Sequence, residues 1–97
     1  MAYPPTLPAT SVYVTHAAAA EFARATRQEP EAARRDLTSR LCGAGLSGES
    51  EPGKPRRYRR RSNSSRLDIQ AHVVEDGPLL VVVSVHVRAY TPRGGGA

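Results

Sequence analysis

The spacing of apolar residues changes once along the chain, from a helical period to an alternating one. Between residues 17 and 44 apolar side chains recur every three or four positions, most clearly at Ala33, Leu37 and Leu41, which is the spacing of one buried helix face. After residue 56 apolar and polar side chains alternate, as in strands with one buried face. We therefore expect helices in the first half of the chain and strands in the second.

Turn residues divide these halves into elements. Residues 1–10, with three prolines, form an irregular N-terminal arm, residues 11–16 a short strand, and residues 17–27 a helix. Pro30 suits the first turn of a second helix, and residues 43–55, rich in glycine and proline, form a connector without regular structure. Strands follow at residues 56–62, 66–74 and 79–89, the last two joined by a tight turn at Asp76 and Gly77.

This order predicts an α+β fold of β-α-α-β-β-β type. Two helices pack on one face of a mainly antiparallel sheet completed by three C-terminal strands. Residues 11–90 form a single domain, and residues 91–97 a flexible C-terminal tail. Alternation puts two sets of apolar residues against the helices: Leu67, Ile69, Ala71 and Val73 on one strand, and Val81, Val83, Val85 and Val87 on the next. The opposite face is polar and basic: Arg66, Asp68, Gln70, His72, Ser84, His86 and Arg88.

Positive charge is concentrated in one segment. The chain carries a net charge of +5, but seven of its fourteen basic residues lie between Lys54 and Arg66 without an acid among them, so the rest holds seven bases against nine acids. A local basic field attracts polyanions, most commonly nucleic acid. The candidate nucleic-acid-binding residues are Lys54, Arg56, Arg57, Arg59, Arg61 and Arg66. A solvated edge strand protected by charge is the alternative interpretation.

Composition excludes several classes of protein. Cys42 is the single cysteine, so there is no internal disulfide and no cysteine-rich zinc site; we expect it to be a buried or half-buried small residue in a cytoplasmic protein. No metal-ligand spacing is visible among the histidines, and no cofactor is expected. We also expect neither a targeting segment nor a membrane span.

Residues 11–90 resemble the RelE/ParE superfamily of bacterial toxins from toxin–antitoxin systems. The resemblance lies in the element order and in three short motifs: Tyr58-Arg59-Arg60-Arg61, Ser65-Arg66 and His86-Val87-Arg88. It implies one of two activities, because RelE-like members are metal-independent endoribonucleases that cleave mRNA in the ribosomal A site, whereas ParE-like members act on DNA gyrase. A non-catalytic nucleic-acid-binding module is a further alternative. The resemblance also implies an acidic antitoxin as partner.

The resemblance implies a set of site residues. Arg59 and Arg61 match basic residues of the family site, Arg66 and Arg88 match its phosphate-binding arginines, and Tyr90 lies near its C-terminal tyrosine. Arginine is a poor general base because its guanidinium stays protonated at physiological pH, so His86 is the better candidate for proton transfer.

For His16 and Tyr58 the sequence allows both a functional and a purely structural role. VTHAAAAEFAR (residues 14–24) is similar to the opening of another small family of RNase-like toxins, which makes His16 a secondary catalytic candidate; otherwise Thr15 caps the helix and His16 is an exposed first-turn residue. Tyr58 either packs in the core or stacks on a base. Asp68 is expected to pair with an arginine, and His72 to lie at the surface.

Overall fold

The computed structural model describes residues 3–48, 53–62 and 64–89 and has two layers. Two helices, α1 (His16–Thr26) and α2 (Pro30–Leu41), cover one face of a five-stranded sheet of β1 (Val12–Val14), β2 (Gly45–Ser47), β3 (Arg56–Ser62), β4 (Leu67–Asp76) and β5 (Leu79–Ala89). The spatial order of the strands is β1-β5-β4-β3-β2; β1 is parallel to β5, and the other three pairs are antiparallel. The predicted α+β layout is confirmed. Tyr90 and the predicted tail, residues 91–97, lie outside the described residues.

The strand β2 lies within the segment that was predicted to be an irregular connector. Hydrogen bonds hold it extended from both sides, because Leu46 pairs with Tyr58 of β3 and its N–H donates to the carbonyl of Pro5 at 2.8 Å. The N-terminal arm also contributes Leu7, whose side chain is buried and whose N–H donates to the Ala44 carbonyl at 2.9 Å. Residues 5–7 therefore lie along the edge of the sheet beside β2.

The helices form where capping groups and apolar spacing coincide. The hydroxyl of Thr15 accepts a hydrogen bond from the N–H of Ala18 at 3.2 Å and donates one to the carbonyl of Val82 at 2.8 Å, so a single side chain caps α1 and fixes it to β5. Pro30 opens α2, where its missing N–H costs nothing. Both helices bury apolar residues against the sheet: Ala18, Ala19, Phe22 and Ala23 on α1, and Ala33, Leu37 and Leu41 on α2.

The apolar face of β5 differs from the prediction in its first half. Leu80 and Val82 are buried, whereas Val81 and Val83 are only half-buried. The cause is a β-bulge, because Val73 of β4 pairs with Val82 but its neighbour His72 pairs with Ser84, which leaves Val83 without a partner on β4. The extra residue reverses the alternation, so the core side of β5 continues at Val85 and Val87 as predicted.

Cys42 is exposed, contrary to the expectation that it is buried or half-buried. It follows Leu41, the last residue of the buried stripe on α2, and the next position along a helix points about 100° away from that stripe. Neither α1 nor α2, the helices of the described ranges, has the long apolar sequence that a membrane crossing requires.

The bulge makes a testable prediction about two adjacent valines. Val82→Asp places an unpaired charge in the core and is expected to cost on the order of 3–5 kcal/mol, which removes most of the stability of a marginally stable domain of this size. Val83→Asp, at the half-buried bulge position, is expected to fold and to melt cooperatively. Thermal unfolding followed by circular dichroism compares them; a folded Val82→Asp beside an unfolded Val83→Asp would show that the faces of β5 are assigned incorrectly.

Candidate functional site

The face of the sheet that the helices leave uncovered carries three cross-strand rows of polar side chains. Partners in neighbouring strands lie side by side on the same face, so the pairing of β3, β4 and β5 gives the rows directly. The rows are Arg57, His72 and Ser84; Arg59, Gln70 and His86; and Arg61, Asp68 and Arg88. We call these nine residues the basic face; with both histidines neutral, its four arginines and one aspartate give it a net charge of +3.

Asp68 is the only buried charged residue in the described part of the chain, and it holds two of these arginines. Its carboxylate is 3% exposed and accepts two hydrogen bonds from Arg59, from Nε at 3.0 Å and from Nη2 at 2.6 Å. Arg61 Nη2 lies 3.5 Å from the same carboxylate. The bidentate bond from Arg59 is the main reason that the pKa of Asp68 is lowered and that of Arg59 is raised. Asp68 is therefore an ion-pair partner.

Arg57 and Arg88 stand at opposite corners of the basic face. Both side chains are exposed, and neither forms an ion pair with a carboxylate of the described residues. Since no carboxylate of the described residues pairs with them, both guanidinium groups are candidates for binding an anion from solution. The positive charge of Arg59 is partly neutralised, since Nε and Nη2 of its guanidinium already donate hydrogen bonds to Asp68.

A hydrogen bond between β4 and β5 orients one of two histidines on this face. His72 Nδ1 lies 3.0 Å from the hydroxyl of Ser84, its partner across the strands. His86 lies one row further along, opposite Gln70, and its side chain is exposed. Alternation along β4 already indicated that His72 belongs to this face, but its contact with Ser84 depends on the bulge.

The structure places the other sequence candidates elsewhere. Arg56 lies on the helix-covered side, over the ring of Tyr3 at 5.6 Å. Lys54 precedes β3, and Arg66 occupies the turn before β4 with a left-handed φ of 57°. His16 is the exposed first residue of α1. Tyr90 lies outside the described residues.

Tyr58 belongs to the core. Its ring is fully buried and its hydroxyl donates to the carbonyl of Pro4 at 2.6 Å, so it is not available to stack on a base. Burial is the main reason that its pKa is raised.

The chemistry that this face offers is the binding of an anion beside imidazole side chains. Guanidinium groups suit phosphate because they present several donors in a plane, and imidazole is the side chain that exchanges protons near neutral pH. Among the described residues, no three histidines, cysteines, aspartates or glutamates come together in a way that could hold a metal ion.

The ion pairs of Asp68 predict how stability depends on pH. Because its pKa is lowered in the folded state, ionised Asp68 stabilises the fold above the unfolded value of about 3.9, and this contribution is lost as the pH falls through the folded-state pKa. We expect Asp68→Asn to lower the melting temperature at pH 7, and the difference from wild type to shrink as the pH is lowered below about 4. Melting curves of both proteins at pH 7 and pH 3 measure this difference in melting temperature. An equal difference at the two pH values would show that the ion pair between Asp68 and Arg59 contributes nothing to stability.

Known proteins give no direct indication of what this face does. Comparisons with protein-family models, with curated proteins and with solved structures each found no match. A functional conclusion for this chain therefore rests on the basic face itself and on the short motifs in its strands.

Proposed function

We propose that the protein is the toxin of a toxin–antitoxin system, a RelE-like endoribonuclease that cleaves mRNA on the ribosome in the cytoplasm. One observation carries the proposal: His86 and the arginines of the basic face lie together on one solvent-facing surface, opposite the helices. The motif His86-Val87-Arg88 puts the imidazole and a guanidinium on the same side of β5, two residues apart.

These groups match the demands of the reaction. In RNA cleavage the 2′-hydroxyl loses a proton and attacks the adjacent phosphate, negative charge builds up on the phosphate oxygens, and the 5′-oxygen leaves with a proton. His86 exchanges a proton, and Arg88 and Arg57, which pair with no carboxylate in the described ranges, balance the developing charge.

The charge distribution also supports an acidic partner. The basic face faces solvent, and an extended acidic segment of an antitoxin would neutralise it and exclude RNA from the same surface.

The proposal is tested by adding the purified protein to ribosomes that translate a defined mRNA. We expect cleavage of the mRNA, continuing in the presence of EDTA, with 2′,3′-cyclic phosphate and 5′-hydroxyl ends. A parallel supercoiling assay with DNA gyrase addresses the ParE-like alternative. Intact mRNA together with blocked supercoiling would show a gyrase inhibitor and not a ribonuclease. No effect in either assay would leave the basic face as a binding surface without either activity.

A first prediction separates catalysis from binding. His86→Gln keeps a hydrogen-bonding side chain of similar size but removes the titrating group, so we expect wild-type stability and RNA binding but a loss of roughly 10²–10⁴-fold in the cleavage rate. Single-turnover cleavage measures it; an unchanged rate would exclude His86 as a proton-transfer group.

A second prediction concerns the contribution of Arg57 to binding. Arg57→Gln is expected to weaken binding of a 2′-O-methyl single-stranded RNA, which cannot be cleaved, and to reduce the slope of log affinity against log salt by about 0.7. Arg35→Gln is the matched control, because Arg35 is an exposed arginine on α2, on the opposite side of the domain. Equal effects of the two variants would mean that the basic face is not the RNA-binding surface.

A further inference from the structure

We infer that His72 and His86 form an acid–base pair on the basic face, so that RNA cleavage uses two imidazoles. This inference rests on the proposed ribonuclease function. It concerns a residue that the sequence alone placed merely at the surface, and it depends on the pairing of β4 with β5.

The pairing brings the two histidines close together. His72 pairs with Ser84 and Gln70 pairs with His86, so the histidines are diagonal neighbours on the same face of adjacent strands. The ladder between these two pairs is regular, because the register shift lies beyond His72, between His72 and Val73. Diagonal neighbours of this kind lie about 7–8 Å apart, close enough for long side chains to reach a shared group. A phosphate bound between the two histidines would have the His72 imidazole on one side and the His86 imidazole on the other.

Ser84 holds His72 in an orientation that suits proton transfer. His72 Nδ1 and the hydroxyl of Ser84 lie 3.0 Å apart and share a hydrogen bond, which the hydroxyl can accept from a neutral or a charged imidazole that carries a proton on Nδ1. The other ring nitrogen, Nε2, is left to exchange a proton with the substrate. Ser84 is thus a positioning residue.

The surroundings of the pair are those of an anion site. Arg57 lies beside His72 on β3, and Gln70 lies beside His86 on β4. The charged groups on the remaining part of the basic face are Arg59, Arg61, Asp68 and Arg88. The helices pack on the other side of the sheet and cover none of these groups, so a nucleotide reaches the pair from solution.

Two imidazoles balance the protons of the reaction. One takes the proton of the 2′-hydroxyl as the bond from the 2′-oxygen to phosphorus forms. The other, charged at the start, gives its proton to the 5′-oxygen as the bond from phosphorus to that oxygen breaks. The products are a 2′,3′-cyclic phosphate and a 5′-hydroxyl, and exchange with water returns the two histidines to their starting states.

The test is the pH dependence of single-turnover cleavage of ribosome-bound mRNA by wild type, His72→Gln and His86→Gln. Wild type is expected to give a bell-shaped profile, and each variant to lose roughly 10²–10⁴-fold in rate together with one limb of the bell, a different limb in each case. Ser84→Ala is expected to lose less rate and to keep both limbs, and Ser84→Thr to restore the rate because it retains the hydroxyl.

The outcomes separate this inference from the proposed function. If wild type cleaves mRNA but His72→Gln keeps the wild-type rate and both limbs, the acid–base pair is wrong. The pair is also wrong if both variants lose the same limb. In either case the proposed ribonuclease function is unaffected. A wild-type protein that does not cleave mRNA overturns both.

A second measurement does not require the variants to fold. Proton NMR follows the titration of each imidazole of the wild-type protein with and without a nucleoside 2′,3′-cyclic monophosphate. A bound product between the rings shifts both titration midpoints, whereas a shift confined to His86 overturns the pair.

Discussion

The buried carboxylate of Asp68 is the interaction on which the charged side of this sheet depends. Three arginines lie in the two rows around it, Arg59, Arg61 and Arg88, and their like charges oppose the pairing of β3 with β4 and β5. Asp68 sits on the central strand and binds Arg59 at two atoms, with Arg61 close by. One negative charge on the central strand therefore permits a positive surface without forcing the strands apart.

The same arrangement divides the arginines by task. Arg59 is held in a fixed geometry by Asp68, and it contributes to the order of the face. Arg57 and Arg88 lie on the outer strands of the three rows and form no ion pair with a carboxylate of the described residues. Sequence motifs alone do not separate these tasks, because all of these arginines occur in similar local patterns.

Much of the fold follows from the sequence because its signals are local. The helix stripe at Ala33, Leu37 and Leu41, the cap at Thr15 and the alternation in β4 each depend on neighbouring residues, and each is present in the structure. The phase of β5 is different, since the run from Leu79 to Val83 contains no polar residue to mark which side faces the core. The bulge at Val83 could not be predicted for that reason. The strand β2 could not be predicted either, because it is held by pairing with Tyr58 and by a hydrogen bond to Pro5, both distant in the sequence.

The candidate site was predictable to the extent that it depends on alternation within one strand. The pattern placed Asp68, Gln70 and His72 of β4 on one polar face with Ser84, His86 and Arg88 of β5, and the structure has them there. It did not show that His72 contacts Ser84, because that contact depends on the register between two strands and on one extra residue between them. Cross-strand contacts of this kind need the fold before they can be recognised.

The parallel pairing of β1 with β5 determines when the sheet can form during synthesis of the chain. Thr15 and Val82 are joined by hydrogen bonds although 67 positions separate them in the chain. Since β5 lies between β1 and β4, neither the core nor the basic face is complete until β5 has left the ribosome. The sheet therefore forms as one unit once β5 is available, because β1 and one edge of β4 have no strand partner before then.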